Sequence, residues 1–306
     1  VALPDVVPER LQPVLEQVRP LAERFDRAGF SLYLVGGVVR DLLLGRDLTS
    51  STDIDLTTDA LPADTKRLVA GFGDAVWSQG ERFGTIGCRR GSWDFEITTH
   101  RAEAYRSDSR KPEVAFSTDI DADLSRRDFT VNAMALAVHG DELVDPQLVD
   151  PFGGAGDLAA GVLRTPLAPE ESFSDDPLRM LRAARFIAGY GLKPDRELVA
   201  AVRAMAYRLE IVSAERVRDE FDKLIVVEDP TAGLWFLVDT GLSDHFLPEL
   251  SAMKLEQDPI HRHKDVLSHT FAVVKNTQPE RIVRLAALYH DVGKPKTRSF
   301  EGGGRS

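Results

Sequence analysis

The chain has 306 residues, 43% of them apolar, with 49 acidic against 38 basic side chains for a formal net charge of −11. A chain of that size buries a core and divides into two or three domains, and its acidic balance excludes a uniformly basic nucleic-acid-binding surface. The single cysteine, Cys88, excludes a disulfide framework and a multi-cysteine zinc site, and no apolar run reaches the roughly 18 residues of a membrane span. The opening "VALPDVVPER" has no basic-then-apolar signal layout, so a cytoplasmic protein that does not engage a membrane is expected.

Leu11, Val14, Leu15, Val18, Leu21, Ala22 and Phe25 recur at three- and four-residue intervals and predict an amphipathic helix ending near Gly29. "SLYLV" reads as a strand, "DIDLTT" as a second, "DTKRLVAGFG" as a helix, and "GTIGCRRGSWDFEITT" as a hairpin turned at Gly91-Ser92. To about Asp150 the pattern mixes strands and helices. From Asp175 onward it is almost entirely helical, broken by "GLKPDR" and "EDPTAG". The fold class is therefore α+β, an α/β-type first half followed by an all-helical second half.

The stretch "LVGGVVRDLLLGRDLTSSTDIDLTTDA", Leu34 to Ala60, holds the first chemistry. Alternation along a strand puts Asp53 and Asp55 on one face and Ile54 and Leu56 on the other. In "WDFEITT" the same rule turns Trp93, Phe95 and Ile97 one way and Asp94, Glu96 and Thr98 the other, which makes Glu96 a candidate third carboxylate. Two or three carboxylates with few nitrogen ligands select magnesium, and a metal pair would suit phosphoryl displacement. Gly36 and Gly37 allow a tight turn into "VVRDLLLG", where backbone N–H groups and Arg40 favour phosphate. An isolated Asp-x-Asp is otherwise a turn or a solvated strand end.

Arginines form local basic clusters despite the net charge: Arg179, Arg182 and Arg185; Arg126 and Arg127; Arg106, Arg110 and Lys111. In "RRDFTVNA", Arg126 and Arg127 suit phosphates, and Asp128, beside Asn132, suits a ribose hydroxyl; an Arg127–Asp128 ion pair is the plainer alternative. In "DDPLR", Pro177 marks a first helical turn with Asp175 or Asp176 near its cap, and Asp176 and Arg179 are neighbours three residues apart. Both aspartates could be caps only. A carboxylate beside a guanidinium also matches the amino donor and ring-nitrogen acceptor shared by cytosine and adenine, and opposes uracil and guanine.

Taken in order, these motifs resemble the class II nucleotidyltransferases, the polymerase-β-like family of CCA-adding tRNA nucleotidyltransferases and bacterial poly(A) polymerases. "LVGGVVRDLLLGRDLTSSTDIDLTTDA" resembles its catalytic signature, "RRDFTVNAMAL" its ribose motif, "DPFGG" its head-to-neck joint, "DDPLRMLRAARF" its base-reading helix and "SAERVRDEFDKLI" the helix that buttresses it. The resemblance covers about Leu34 to Ile225. It implies a nucleotidyltransferase head (1–152), a helical neck that binds the base and RNA (153–228) and a helical body (229–306). It makes Asp53 and Asp55 the ligands of two magnesium ions with Glu96 third, assigns the base template to Asp176 and Arg179, and places Gly36, Gly37, Arg40, Arg127, Asp128, Asn132, Arg182 and Arg185 around the nucleotide. Where the family usually has Glu-Asp, this chain has Asp175-Asp176.

The implied reaction is addition of C-C-A to the tRNA 3′ end from CTP and ATP, with pyrophosphate released. No Arg-Arg-Phe extension of the poly(A) polymerases follows the third-carboxylate strand, and Glu103 to Phe116 resembles the loop that full CCA addition requires. Poly(A) synthesis is the alternative within the family. "HRHKDVLSHTFAVV" and "RLAALYHDVGKPKTRSF" resemble the start of an HD domain, with His269, His290 and Asp291 as its first ligands for a divalent metal; "EGGGRS" lacks the next aspartate of that pattern, so the segment reads as truncated. Metal-dependent phosphohydrolysis is the rival activity, and a nucleotide sensor without turnover is a third reading.

Overall fold

The first predicted helix forms as α1 (Val7–Arg27), with Leu11, Val14, Leu15, Val18, Leu21, Ala22 and Phe25 all buried. The computed structural model describes residues 7–46, 53–102, 115–141, 145–255 and 265–297. By packing, the chain divides into two compact units, Val1–Ala160 with Thr165–Leu167, and Gly161–Arg164 with Ala168–Ser306.

In the first unit the strands are β1 (Leu32–Val35), β2 (Ile54–Thr58), β3 (Ala75–Trp77), β4 (Thr85–Arg90), β5 (Trp93–Thr99), β6 (Arg101–Ala102), β7 (Ala115–Phe116), β8 (Ala135–Ala137) and β9 (Gln147–Val149). Seven of them build one sheet in the order β3-β4-β5-β2-β1-β8-β9, while β6 and β7 pair as a separate ribbon. The helices α2 (Gly37–Leu43), α3 (Pro62–Val69), α4 (Ile120–Ser125) and α5 (Gly154–Ala160) accompany the sheet, and α1 packs on α2, α3 and β1. The β4–β5 hairpin turns at Gly91-Ser92 as predicted. Adjacent strands are antiparallel except β2 and β5, which run parallel with Ile54 opposite Phe95 and Asp55 opposite Glu96. Ile54, Leu56, Phe95 and Ile97 are buried, which fixes the register and turns the acidic positions to the other face.

The first unit runs continuously to Ala160. The Asp150 carboxylate accepts from the backbone N–H groups of Gly154 (2.6 Å) and Ala155 (3.0 Å), and the Thr130 hydroxyl donates to Asp157 at 2.6 Å, so α5 stays with the head. Helices from both sides of residue 228 pack together in the second unit. Its helices are α6 (Pro169–Asp175), α7 (Leu178–Tyr190), α8 (Arg196–Met205), α9 (Ala214–Ile225), α10 (Thr231–Asp239), α11 (Glu249–Ala252), α12 (Val266–Lys275), α13 (Arg281–Tyr289) and α14 (Lys294–Thr297). Helix α7 lies against both α9 and α10, α10 packs on α12, and α12 on α13.

The second unit is not purely helical: β10 (Val162–Leu163) and β11 (Lys193–Pro194) form a short parallel pair where "GLKPDR" leads out of α7. Arg284, 1% exposed, donates to the carbonyls of Ile225 (2.9 Å), Glu228 (2.9 Å), Thr277 (3.3 Å) and Val227, fastening α13 to the end of α9. Among the described residues, no helix is long and apolar enough to cross a membrane.

Candidate active site

The centre of the first unit's sheet carries the acidic face. Asp53 is exposed just ahead of β2, Asp55 is half-buried within it, and Glu96 is exposed on β5 directly opposite Asp55. Neighbouring strands lie about 4.8 Å apart, so these two carboxylates share one surface across a single strand gap. Burial pushes the Asp55 carboxyl up to about 6; Arg127 acts against that rise, and the charges of Glu96 and Asp53 add to it. A partly desolvated carboxylate among like charges is a site that a hard cation stabilises.

Gly36 is the cap of α2 with φ +70°, a left-handed conformation that a side chain opposes. A Cβ there would stand 3.2 Å from Arg127 Nη1 and 3.8 Å from Asp55 Oδ2, so the bare glycine lets guanidinium and carboxylate meet the turn. Arg127 donates to Asp123, four residues earlier, at 3.1 Å.

Arg40 is 6% exposed, and its guanidinium donates to Asp41 (3.1 and 2.9 Å) and to Asn132 Oδ1 at 2.7 Å, bringing "VVRD" against "RRDFTVN". Asn132 in turn donates to Asp128 Oδ1 at 2.9 Å, which also accepts from the Phe129 N–H. A chain of contacts therefore ties "GGVVRD" to "RRDFTVN" beneath the acidic face. Arg40 orders this site from within.

The base-reading candidates lie in the second unit. Asp176 ends α6 and precedes α7; its Oδ1 accepts from the Leu178 N–H at 3.2 Å and its Oδ2 from Arg216 at 2.8 Å. Arg179 donates to the hydroxyl (2.8 Å) and carbonyl (3.3 Å) of Ser172. Glu220, 3% exposed, holds Arg185 directly and stands 3.9 Å from Arg182. Arg216 thus holds the residue that leads into α7 and Glu220 holds α7 itself, both from one face of α9 in the i, i+4 relation contained in "SAERVRDEFDKLI". Sequence reasoning named that helix but neither residue.

His269 on α12 and His290 and Asp291 after α13 bring their ligand atoms within 4.8 Å of one another. His290 Nδ1 donates to the Ala287 carbonyl at 2.6 Å, which leaves Nε2 facing Asp291 at 3.2 Å, and Lys294 also pairs with Asp291 at 2.7 Å. Among the described residues this is the only such group of three; Asp53, Asp55 and Glu96 do not converge as tightly. The loop from Glu103 to Phe116 lies outside the described residues up to 114.

The family described as "Poly A polymerase head domain" matches residues 32–164, and "Probable RNA and SrmB- binding site of polymerase A" matches 191–254. A CCA-adding enzyme of Lactobacillus helveticus is 36% identical over 247 residues, 80% of this chain and 58% of that protein. One from Streptococcus gordonii is 37% identical over 252 residues, 81% of this chain and 60% of its own length. The chain thus spans 58–60% of the length of these curated relatives. The solved Bacillus stearothermophilus CCA-adding enzyme in complex with CTP superposes with a TM-score of 0.73 at 27% identity, covering 92% of this chain and 63% of that one. With the acidic face, the glycine turn and both family matches in their expected order, the chain belongs to the class II nucleotidyltransferase family that contains the CCA-adding enzymes.

Proposed function

We propose that this chain adds C-C-A to the 3′ end of tRNA from CTP and ATP. The observation that carries the reading is the pairing of Asp55 with Glu96 on the open face of the sheet, with Gly36 and Arg127 against Asp55. In that reaction the terminal 3′ oxygen bonds to the α-phosphorus, the bond to pyrophosphate breaks, and the hydroxyl proton passes to water. Two magnesium ions at Asp53, Asp55 and Glu96 would supply Lewis-acid stabilisation of the attacking and leaving oxygens. Arg127 and the Gly36–Gly37 turn hold the triphosphate, and Asp128, braced by Asn132 and Arg40, meets the ribose.

Base choice falls to Asp176 and Arg179. Arg216 fixes the carboxylate and Ser172 the guanidinium, so the pair is ordered before a base arrives. A pre-set acceptor beside a donor satisfies cytosine and adenine and leaves buried groups unpaired with uracil or guanine. Arg182 and Arg185, anchored by Glu220, keep cationic groups on the same helix.

CCA addition is preferred to poly(A) synthesis because the relatives named above are CCA-adding enzymes. The buried Cys88 thiol, pushed up to about 11 chiefly by burial, suits the reducing cytoplasm. A second reading rests on His269, His290 and Asp291, whose donor set fits a divalent metal and a phosphohydrolase activity, although Lys294 competes for Asp291.

The test incubates the protein, magnesium and tRNA lacking its 3′ end with each labelled nucleotide, singly and together. A short C-C-A product that disappears in Asp53→Ala and Asp55→Ala is expected. Long adenosine tails would transfer the reading to poly(A) synthesis, and retention of more than about a tenth of turnover by both variants would overturn the carboxylate assignment. Phosphate release from 2′,3′-cyclic substrates that depends on His290 would support the second reading.

A further inference from the structure

A cavity of about 390 Å³ opens beside Glu96, lined among others by Trp77, Phe83, Thr85, Gly87 and Arg101. Its floor follows from sheet register. Trp77 is opposite Gly87, Gly87 opposite Glu96, and Glu96 opposite Asp55, so these four positions form one row across four strands. Residues paired in this way project from the same face. Gly87 contributes no side chain, and the Trp77 indole fills the gap: a Cβ on Gly87 would stand 2.0 Å from Trp77 Nε1 and 2.1 Å from Cε2. A flat aromatic surface therefore lies one strand away from the carboxylates.

Two further features line this cavity. Phe83 is 45% exposed, with the Arg82 guanidinium 4.4 Å from its ring centroid. The Arg101 guanidinium donates to Thr85 Oγ1 at 3.4 Å through Nη2 and feels the charge of Asp123, while its buried Nε has no hydrogen-bond partner among the described residues. Burial chiefly holds this guanidinium below the usual arginine range. An aromatic floor, an exposed ring with an adjacent cation and an underused arginine are what a base and its phosphate require.

The direction of the reaction identifies the occupant. In nucleotidyl transfer the attacking and leaving oxygens lie roughly in line through the phosphorus. Gly36 and Arg127 stand on the β1 side of Asp55, while Glu96, Gly87 and Trp77 extend on the opposite side. If pyrophosphate leaves on the first side, the attacking hydroxyl enters from the second.

We propose that the cavity between Trp77 and Glu96 receives the 3′-terminal nucleotide of the RNA acceptor, its base stacked on Trp77 and Phe83 and its phosphate held by Arg101. The inference rests on the nucleotidyl-transfer reading. The acceptor's 3′ oxygen then bonds to the α-phosphorus as the bond to pyrophosphate breaks and the hydroxyl proton passes to water. Stacking tolerates any base, as required of an acceptor whose last nucleotide changes after each addition.

The experiment compares wild type with Trp77→Ala, Trp77→Phe, Phe83→Ala and Arg101→Gln, using a tRNA acceptor-stem hairpin ending in C as probe. Binding is read by fluorescence anisotropy without nucleotide, and transfer by KM for the hairpin and for CTP. Trp77→Ala and Phe83→Ala should each weaken hairpin binding roughly five- to a hundredfold with KM for CTP unchanged, and Trp77→Phe should recover most of the loss. Arg101→Gln should reduce the slope of log affinity against log salt by about 0.7. Melting temperatures identify a misfolded Trp77→Ala, in which case Phe83→Ala and Arg101→Gln decide. Unchanged hairpin affinity in folded variants, or a raised KM for CTP alone, overturns the proposal. Failure of the underlying reading looks different: the wild type itself then transfers nothing, or Asp53→Ala and Asp55→Ala both remain active.

Discussion

Replacing Asp176 by Asn separates a base-reading carboxylate from a helix cap that happens to be acidic. Its Oδ1 caps Leu178 at 3.2 Å, and asparagine caps about as well as aspartate, so that contact survives at a cost of a few tenths of a kcal/mol. Its Oδ2 meets Arg216 at 2.8 Å, but the two side chains are 30% and 54% exposed, which limits the loss from this pair to about 0–1 kcal/mol. The summed change in stability is therefore at most about 1 kcal/mol, a melting shift of roughly 2–4 °C in a unit of this size. Selectivity should change much more. Asparagine can present an N–H donor where the carboxylate only accepts, so discrimination against UTP and GTP should fall by about 1–3 kcal/mol, or roughly ten- to a hundredfold. Arg216→Met provides the control, because it leaves the carboxylate in place but unanchored and should give a smaller loss in the same direction. The assay measures incorporation of all four nucleotides alongside calorimetric melting. Unchanged selectivity with an intact fold would refute the template role.

With metal chelated, Asp55→Asn should stabilise the protein at pH 8 by on the order of 2–3 kcal/mol and bring no gain at pH 4. The raised carboxyl, near 6, favours the folded state only while protonated, and that advantage disappears as pH rises through 6; equal urea midpoints for the two proteins at pH 8 would contradict this. Arg284→Met should cost about 3 kcal/mol or more in urea unfolding, since it strands the carbonyls of Ile225, Val227, Glu228 and Thr277, and a loss below about 1 kcal/mol would show that water replaces the guanidinium. Gly36→Ala should destabilise by about 1–2 kcal/mol at φ +70° and lower turnover about tenfold or more by pressing on Arg127; unchanged single-turnover rates would remove Gly36 from the site.

The parts of this molecule that were readable in sequence depend on local periodicity. The burial of α1 follows from three- and four-residue repeats, the hairpin at Gly91-Ser92 from its turn residues, and the two-residue repeat turns Asp55 and Glu96 away from the buried side of their own strands. What escaped depends on partners distant in the chain. The contact of Arg40 with Asn132 joins residues 92 apart, and the helix holding Arg216 and Glu220 could be named from its motif while the two residues that contact Asp176 and Arg185 could not. The placement of α5 in the first unit depends likewise on a distant contact, that of Thr130 with Asp157. Arg101 stood beside a quoted motif, yet its unused Nε emerges only once β4 and β5 form the cavity wall.

The parallel pairing of β2 with β5 sets when the acidic face forms. A hairpin such as β4–β5 closes locally and quickly, whereas β2 must wait while α3, β3 and β4 are laid down before its partner exists. Asp55 and Glu96 therefore meet only in a late, loop-closing step of the first unit's assembly. On the ribosome, a nascent chain that has exposed "DIDLTT" carries Asp55 without the strand that places Glu96 opposite it. The acidic face is thus a product of sheet closure: until β5 is in place, Asp55 and Glu96 belong to separate segments of the chain.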